Sequence, residues 1–535
     1  MQKKVINFLL IVILSSYFLF FSHILVLDGP TSAISFGNSN NLITLAFVSG
    51  IIALGFWSVS ARKEITINSS YKTLSLISIL FIIPAVYHFI TNSNDTFAPV
   101  IGALFFSLTF FAFYQLYKIV ELKKLLLILI PVGAIIEMLL THFNADICDS
   151  VSIVANHQTS IIWGITALLF ITASDYETPK LKNLSTILSV FLAALVILEL
   201  AICKSLVIIC TTVIVTLISG ICALKSKNNT FAGFILLLTT LLSGFIAFST
   251  YDLYGSYNLS SYSTDIYTKV IRPNLLIGTG YETANSTILH YIVNNDVDVP
   301  FENDISSMTR IVIEAGIIGV LGIISAFLFL YHVYFKYSKK NAYTISNFCT
   351  IVPIIVLNTQ TNIFDNSFII LFLLASYCWA FDSNYEERTM FYQTKSNFLV
   401  GQLAIIIPSL SITFVTTGII SLPYINKDIN NSEITNEHRT LLLFNHMVRQ
   451  TEYTEFNMVK TAENVYDLRI PALFQESIEN LRDRERYSIT PELYGILSKL
   501  EKIYSTNPNL TDENRSELLE QSKLHSKIQT FLEHK

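Results

Sequence analysis

The chain has 535 residues, of which 52% are hydrophobic and only 14% are charged, against about 25% charged residues in an average soluble protein. A soluble fold of this length needs more charge to cover its surface, so the composition excludes a soluble enzyme and predicts an integral membrane protein. The net charge of −5 does not suit the binding of a polyanion, and we expect no nucleic-acid partner.

Apolar runs along the chain predict about thirteen transmembrane helices, because a bilayer core of about 30 Å takes roughly 20 apolar residues per helix. The runs are roughly 5–27, 42–60, 73–91, 98–117, 125–142, 158–174, 184–203, 206–224, 230–249, 309–333, 344–358, 368–382 and 398–421. The first run has no convincing small-residue cleavage site, so we expect an uncleaved anchor and not a secretory signal. The predicted fold class is an all-α polytopic membrane protein.

Lysine and arginine are distributed unequally between the predicted loops, and this asymmetry sets the orientation in the membrane. With the N-terminus in the cytoplasm, seventeen of these residues fall in inner segments, and only four fall in outer segments before the tail. We therefore predict a cytoplasmic N-terminus. Because the number of predicted spans is odd, the C-terminal tail is predicted to lie outside the plasma membrane.

Charged residues become much denser after position 422, which marks a second domain. Residues 423–535 carry 18 acidic and 14 basic side chains. Their apolar periodicity indicates helices, and Pro471, Pro491 and Pro508 separate these helices from one another. We predict a transmembrane domain over residues 1–422 and a soluble, helical extracytoplasmic domain over residues 423–535.

The outer loop over residues 250–308 is far longer than the other predicted outer loops, and loops of that length are usually functional. It contains tyrosines, two cations, a glycine-containing turn, a histidine and an acidic end. These residues are Tyr251, Tyr254, Tyr257, Tyr262, Tyr267, Lys269, Arg272, Gly278, Gly280, His290, Glu302, Asn303 and Asp304. Tyrosine rings at this depth either stack on sugar faces or anchor the chain at the membrane interface, and the anchor is the commoner role.

Ionisable side chains within or next to the spans are costly to bury in hydrocarbon, so they are candidates for function. Lys204 lies at the tip of a tight hairpin between two spans, where it either meets a lipid-linked phosphate or is neutralised by Glu199 or a lipid headgroup. Arg310 and Glu314 are four residues apart on one helical face. They suit a structural ion pair, and Arg310 also has charge to offer a site at the membrane surface. Helix packing is the default explanation for the glycines that follow: Gly316, Gly319 and Gly322.

The order of these features resembles the bacterial O-antigen ligase and O-antigen polymerase superfamily. The common features are a hairpin with a basic outer tip, one large outer loop, and a span that opens with an ExGxxG element. In this chain they read Cys203-Lys204-Ser205, Ile271-Arg272-Pro273-Asn274-Leu-Leu-Ile-Gly278-Thr279-Gly280, Glu302-Asn303-Asp304 and Glu314-Ala-Gly316-Ile-Ile-Gly319. Local matches cover residues 180–335, and the rest of the chain matches only in its span architecture.

Two positions differ from the pattern of that superfamily. Its hairpin usually reads Ser-Arg-Gly, so Lys204 keeps the positive charge without the bidentate guanidinium group. Its ligases usually carry a His-Asn pair before the ExGxxG span, whereas here Asn303 is kept and Glu302 stands in place of the histidine. Ligase and polymerase roles therefore both stay open.

The resemblance implies transfer of a glycan from an undecaprenyl-diphosphate donor to a glycan, lipid A-core or protein acceptor. The reaction would take place on the outer face of the bacterial inner membrane, with the tail in the periplasm and without a cofactor or a metal. Four cations would bind the donor diphosphate and stabilise its charge as it leaves: Lys204, Lys269, Arg272 and Arg310. His290, Glu302 or Asp304 would activate the acceptor hydroxyl as the base. The other motif residues would be structural: Gly278, Gly280, Asn303, Glu314, Gly316 and Gly319.

Two other classes of function compete with glycan transfer. A lipid-linked oligosaccharide flippase, or another multispan transporter, usually carries ionisable groups near the bilayer midplane and often has internal repeats or broken helices. Here Lys204 and Arg310 are predicted to lie near one face, and no repeat is visible in the sequence. A membrane scaffold with an outer recruiting tail is the third class, but it leaves the basic residues around the large loop without a role.

The predicted orientation can be checked by cysteine accessibility in intact cells. In a background without the six native cysteines, single cysteines placed within residues 250–308 should react with a membrane-impermeant maleimide added outside. Cysteines placed within residues 334–343, which are predicted to be cytoplasmic, should react only after the cells are opened. Labelling of the long loop from the cytosolic side would contradict the predicted orientation and the glycan-transfer hypothesis together.

Overall fold

The computed structural model divides the chain into two compact units, which are described separately. Unit 1 consists of Met1–Leu80, Ala98–Ser256 and Gly322–Ile419, and unit 2 consists of Phe81–Phe97, Tyr257–Leu321 and Ile420–Lys535. The structure describes residues 2–23, 39–62, 64–67, 70–92, 98–143, 150–174, 176, 178–203, 205–225, 230–250, 267–281, 283–295, 306–336, 342–359, 368–382, 390–393, 402–403, 405–406, 408–410, 412–413, 458–486 and 489–533.

Helices dominate the described residues. The first eleven, numbered here in chain order, are α1 (Gln2–Leu19), α2 (Ser39–Arg62), α3 (Ser70–Asn92), α4 (Ala98–Leu116), α5 (Leu122–Phe143), α6 (Ser150–Ala173), α7 (Pro179–Cys203), α8 (Leu206–Lys225), α9 (Thr230–Thr250), α10 (Ala284–Asn294) and α11 (Ser307–Tyr334). The others are α12 (Ala342–Cys349), α13 (Val352–Asn358), α14 (Phe368–Ala380), α15 (458–467), α16 (Phe474–Glu485), α17 (Pro491–Tyr504) and α18 (Asp512–Glu533).

Two short strands accompany the helices. Strand β1 (Glu64–Ile67) pairs antiparallel with β2 (Met390–Gln393), so that Ile65 faces Tyr392 in the register. Both segments fall in predicted inner loops, and the sequence does not predict this sheet. The pairing is non-local, and four residues of alternating character carry too little periodicity to signal a strand on their own.

Among the residues that the structure describes, eight helices are long and apolar enough to cross a membrane, and four shorter apolar helices accompany them. Apolar rings on α9 are exposed, including Phe245 at 72% and Phe248 at 83%. Side chains of this kind suit a surface that lies against lipid. The chain has the architecture of an all-α, multi-pass membrane protein, as its composition predicts.

Aromatic side chains fill the core of unit 1 around α14, which is buried along nearly its whole length. Tyr377 of α14 packs on Phe170 of α6, with ring centroids 5.0 Å apart, and Phe368 stacks on Phe105 of α4 at 4.9 Å. The predicted span 368–382 is therefore an interior helix of unit 1.

The predicted span 344–358 is not one continuous helix, because it consists of α12 and α13 with a tight turn between them. The amides of Thr350 and Ile351 bond three residues back, to the carbonyls of Asn347 and Phe348. Pro353 follows within the first turn of α13. Proline has no N–H to donate and its ring obstructs the carbonyl four residues earlier, so the helix cannot run through. Most of the predicted span 398–421 lies outside the described residues.

Unit 2 has its own apolar core, which joins the predicted outer loop to the predicted tail. Leu289 and Ile292 of α10 belong to one buried cluster with Leu481 of α16, Leu497 of α17 and Ile528 of α18. The Lys527 ammonium group also donates to the carbonyl oxygen of Val293, near the C-terminal end of α10, at 3.0 Å. Residues on both sides of position 422 thus share one core, while the division into domains 1–422 and 423–535 stays a prediction.

Helix α11 is broken at Gly316, and the turn over residues 275–280 occupies the break. Gly316 has φ 57°, so the helical hydrogen-bond ladder stops there. The amides of Thr279 and Gly280 donate at 3.0 Å to the carbonyls of Ile313 and Glu314, and Leu275 accepts from the amide of Ile317. The turn thereby satisfies the polar groups that the break releases, which a buried backbone requires.

Alanine at Gly278 is expected to destabilise the protein strongly, because Gly278 has φ 83° and an added Cβ would lie 2.1 Å from the Glu314 carbonyl oxygen. The left-handed conformation alone costs about 1–3 kcal/mol for a residue with a side chain, and the clash adds to it. Thermal unfolding of the purified chain in detergent should show a large fall in Tm. Gly244→Ala is the matched control, because a Cβ there meets no atom within 4 Å. Equal Tm values for the two variants would contradict the proposed crossing.

Candidate functional site

Polar side chains of unit 2 line a cavity of about 580 Å³. Its walls come from α3, from the turn that crosses α11, from α10 and from the C-terminal end of α16. The lining residues are Tyr87, His88, Asn274, Ile277, Gly278, Thr279, Thr283, Ser286, Thr287, His290, Glu485 and Arg486. The cavity is the size of a small-molecule site, and it combines imidazole, carboxylate, guanidinium, amide and hydroxyl groups.

Hydroxyl groups form one wall of the cavity, where the turn passes into α10. The Thr283 hydroxyl lies 2.6 Å from Thr279 Oγ1 and 2.7 Å from the carbonyl oxygen of Gly280. Thr287 donates to the carbonyl oxygen of Thr283 at 2.8 Å, and Ser286 donates to the carbonyl oxygen of Arg486. The last bond ties the end of α16 to α10. This wall offers closely spaced groups that suit a polyhydroxylated ligand.

Residues of α3 hold the turn from the other side. The hydroxyl of Tyr281 donates to the Phe81 carbonyl oxygen at 2.9 Å, and His88 Nε2 lies 3.4 Å from the carbonyl oxygen of Ile277. Tyr281 is fully buried and His88 is 4% exposed. The turn is therefore bonded to α11 and to the end of α3, and this places Gly278 and Thr279 in the cavity wall.

His290, which the sequence predicts as a candidate base, lines the cavity from α10. Its Nε2 atom lies 3.3 Å from the hydroxyl of Tyr494. Burial lowers the pKa of His290 below its ordinary value, and the attraction of Glu485 opposes this effect while nearby His525 adds to it. The imidazole is therefore neutral at neutral pH and able to accept a proton.

A chain of charged groups runs from the tail helices to the cavity. Arg482 contacts Glu501 Oε1 at 2.7 Å, and Glu501 Oε2 lies 2.7 Å from His525 Nδ1. His525 Nε2 lies 2.9 Å from Glu485 Oε2, in a close but poorly aligned ion pair. Burial is the largest single influence on His525 and lowers its pKa, but Glu485 and Glu501 together outweigh it and raise the pKa to about 9. His525 is therefore cationic at neutral pH.

The predicted donor-binding cations have different surroundings. Arg310 is buried, and its Nε atom donates to Glu314 Oε1 at 2.8 Å. The same oxygen also lies 3.3 Å from the amide of Ala284, at the start of α10. Lys269 lies with its ammonium group 5.6 Å from the centre of the Tyr291 ring. Both Lys269 and Arg272 are exposed, and Lys204 lies outside the described residues.

The structure brings together some of the predicted site residues and shows the role of others. His290 and Gly278 line the cavity, while Gly280, Glu314 and Gly316 belong to the crossing of the turn over α11. Gly319 lies one turn beyond the break, where a Cβ would come within 2.6 Å of the Ile311 carbonyl oxygen. Glu302, Asn303 and Asp304 lie outside the described residues, so their predicted roles stay predictions.

Glu485, Arg486 and His525 were not predicted from the sequence. All three lie in the tail, where a charged residue on an amphipathic helix is usually solvated, and no local pattern distinguishes Glu485 from its exposed neighbours. Within the described part of the chain, no group of three or more His, Cys, Asp or Glu residues is arranged to hold a metal ion.

Comparison of the chain with protein-family models, with curated proteins and with solved structures finds no match. The resemblance to the O-antigen ligase and polymerase superfamily therefore stays a prediction that rests on short motifs and their order.

The charge chain predicts how stability depends on pH. The pKa of His525 is raised from 6.5 to about 9, so its contribution is fully present below about pH 6.5 and is lost as the pH rises through about 9. The shift corresponds to about 3 kcal/mol. In thermal unfolding of the full chain in detergent, the Tm advantage of wild type over His525→Gln should shrink between pH 6 and pH 10. His332→Gln, on α11 in unit 1, is the control for loss of a histidine elsewhere. A pH-independent difference would contradict the charge chain.

Proposed function

We propose that this chain transfers a glycan from an undecaprenyl-diphosphate-linked donor to an acceptor on the outer face of the plasma membrane. In this proposal the protein has about thirteen spans, a cytoplasmic N-terminus and a periplasmic tail, and it resides in a bacterial inner membrane. The observation that carries the proposal is the cavity of unit 2, because a neutral, partly buried His290 lines it together with several hydroxyl groups.

The proposed reaction uses His290 as the general base. The acceptor hydroxyl oxygen forms a bond to the anomeric carbon of the donor sugar as the bond from that carbon to the diphosphate oxygen breaks. The bonding electron pair leaves with the diphosphate, and the hydroxyl proton passes to His290 Nε2 or Nδ1. A base of this kind contributes about 10²–10⁴-fold to the rate when it is neutral at the working pH.

Two exposed cations that lie just before the crossing turn are proposed to bind the leaving diphosphate. Arg272 lies two residues before Asn274, which lines the cavity, and Lys269 lies one helical turn earlier in the chain. A guanidinium group matches the geometry of phosphate oxygens and stabilises negative charge that develops on them. The buried ion pair of Arg310 with Glu314 supports a structural role for Arg310, which leaves Lys269, Arg272 and Lys204 as the proposed donor-binding cations.

A flippase for a lipid-linked oligosaccharide is the second candidate, and the break in α11 is the observation that favours it, because broken helices are common in transporters. In such sites the released backbone groups commonly bind the substrate or a coupling ion. Here the carbonyls of Ile313 and Glu314 and the amide of Ile317 are all bonded to the crossing turn. Because the turn already occupies these groups, the break serves to hold the turn and does not offer a substrate site. Glycan transfer therefore remains the preferred proposal.

The proposed function is tested by transfer in vitro with the purified full chain in nanodiscs. The donor is an undecaprenyl-diphosphate oligosaccharide from the host, and the acceptors are a second lipid-linked unit, a lipid A-core and a host glycoprotein in its unmodified form. His290→Gln should lower the rate at least a hundredfold without changing Tm, while His332→Gln should be active. Movement of the labelled lipid across a liposome membrane, without any transferred glycan, would favour the flippase instead.

Removing the charge of Lys204 or Arg272 should abolish polymer formation in cells without lowering the amount of protein in the membrane. Arg272→Lys should retain part of the activity, because it keeps the charge but loses the bidentate contact. Surface glycan length and immunoblots of membrane fractions measure the two outcomes. Full activity in both alanine variants would remove the proposed donor site.

A further inference from the structure

The carboxylate of Glu485 is held at the cavity wall, and the proposed reaction assigns it no role. It stands at the end of α16, next to Arg486, whose backbone carbonyl oxygen is bonded to Ser286 of α10. One of its oxygens lies 2.9 Å from His525 Nε2, and its side chain retains 20% exposure. Glu485 and His290 line the same cavity. A carboxylate fixed by its partner and still open to a cavity is placed to meet a ligand.

Glu485 is the last member of an electrically balanced chain whose two central members are buried. Its members in order are Arg482, Glu501, His525 and Glu485, so two positive and two negative charges alternate. Glu501 is fully buried, and the His525 side chain is 1% exposed. Buried ion pairs commonly stabilise a protein no better than apolar side chains of the same size. Stability alone therefore gives little reason for this arrangement, whereas the placement of the terminal carboxylate at the cavity does.

The alternating contacts hold the Glu485 carboxylate beside His525 at the cavity. Glu501 fixes the ring of His525 through Nδ1, and Arg482 fixes Glu501 through its other oxygen. Nε2 of His525 then contacts only Oε2 of Glu485. Each member positions the next one, in the way that outer partners orient the groups of a functional site.

We propose that Glu485 binds the acceptor glycan, with its carboxylate accepting hydrogen bonds from sugar hydroxyls beside His290. This inference rests on the proposed function, and it adds to it the residue that selects a polyhydroxylated acceptor. Oε2 of Glu485 is buried against His525, so Oε1 is the oxygen that accepts from a sugar hydroxyl, and hydrogen bonds to a charged acceptor are the stronger kind. Asn274, with its second amide N–H and its Oδ1, and the threonine hydroxyl oxygens, which accept, offer the further contacts that such a ligand needs.

His525 and Glu501 are positioning residues in this proposal, since they act through Glu485. The negative charge of Glu485 also acts on His290, so Glu485 affects the pH–rate profile. A purely structural residue would not change that profile. The titratable groups that face His290 are Glu485, His525 and Tyr494 from the tail helices, and Tyr87, His88 and Arg486 line the same cavity. Removing the charge of Glu485 should lower the pKa of His290 and shift the acidic limb of the pH–rate profile to lower pH.

The experiment measures transfer by the full chain in nanodiscs, with undecaprenyl-diphosphate oligosaccharide as donor and a fluorescent glycoside of the same repeat unit as acceptor. Glu485→Gln keeps the shape and removes the charge. It should raise KM for the acceptor about tenfold or more, leave KM for the donor unchanged, and move the acidic limb of the profile. Glu479→Gln is the matched control on the same helix, because Glu479 is exposed and contacts only Gln475 among the bonds described. It should behave like wild type.

Glu485→Gln leaves the buried, charged His525 with only one carboxylate partner, which could destabilise the fold. A second variant therefore separates the loss of acceptor binding from a loss of stability. Glu485→Gln combined with His525→Gln removes one positive and one negative charge together, and it should show the same rise in acceptor KM with a Tm close to that of wild type. A wild-type acceptor KM in both variants, with transfer still lost in His290→Gln, overturns the inference and leaves the proposed function standing. Absence of transfer by the wild-type chain overturns the proposed function and the inference with it.

Discussion

The crossing of the 275–280 turn over the broken helix α11 is the contact on which unit 2 depends. Gly316 ends the helical ladder, and the turn supplies the hydrogen bonds that the break removes. The two backbones approach so closely that neither Gly278 nor Gly316 has room for a Cβ. The start of α10, and with it His290, follows directly from the turn. The position of the candidate base is thus set by backbone contacts, which are less adaptable than side-chain packing.

Helix α10 links this crossing to the tail helices. The apolar side chains of α10 are buried against α16, α17 and α18, and its Ser286, Thr287 and His290 line the cavity. The apolar contacts provide most of the favourable free energy of such an interface. Single bonds, such as those of Ser286 and Lys527, fix how the helices are aligned. A segment with the charge density of a soluble domain thereby contributes a wall of the candidate site.

Charged residues have different roles at the crossing of the turn over α11 and at the cavity. Arg310 and Glu314 neutralise each other at the crossing, where an isolated charge would be costly to bury. The chain from Arg482 to Glu485 also balances to zero, but its last member opens on the cavity beside a neutral histidine. In the proposed function, the neutral imidazole would take the proton from a sugar hydroxyl, and the carboxylate and the hydroxyl groups of the cavity would bind the sugar.

The sequence by itself determined the membrane class, the positions of most apolar helices and the helical nature of the tail, because hydropathy and helical periodicity are local properties. It also marked Gly278, Gly316 and His290 as residues of interest. Only the tertiary structure decided that α11 is broken and that β1 pairs with β2. It also decided that Glu485 lines the cavity and contacts His525. These features join residues far apart in the chain, about 200 positions in the case of His290 and Tyr494. Such pairings leave no local pattern, because each partner alone looks like an ordinary turn, strand or solvated helix face.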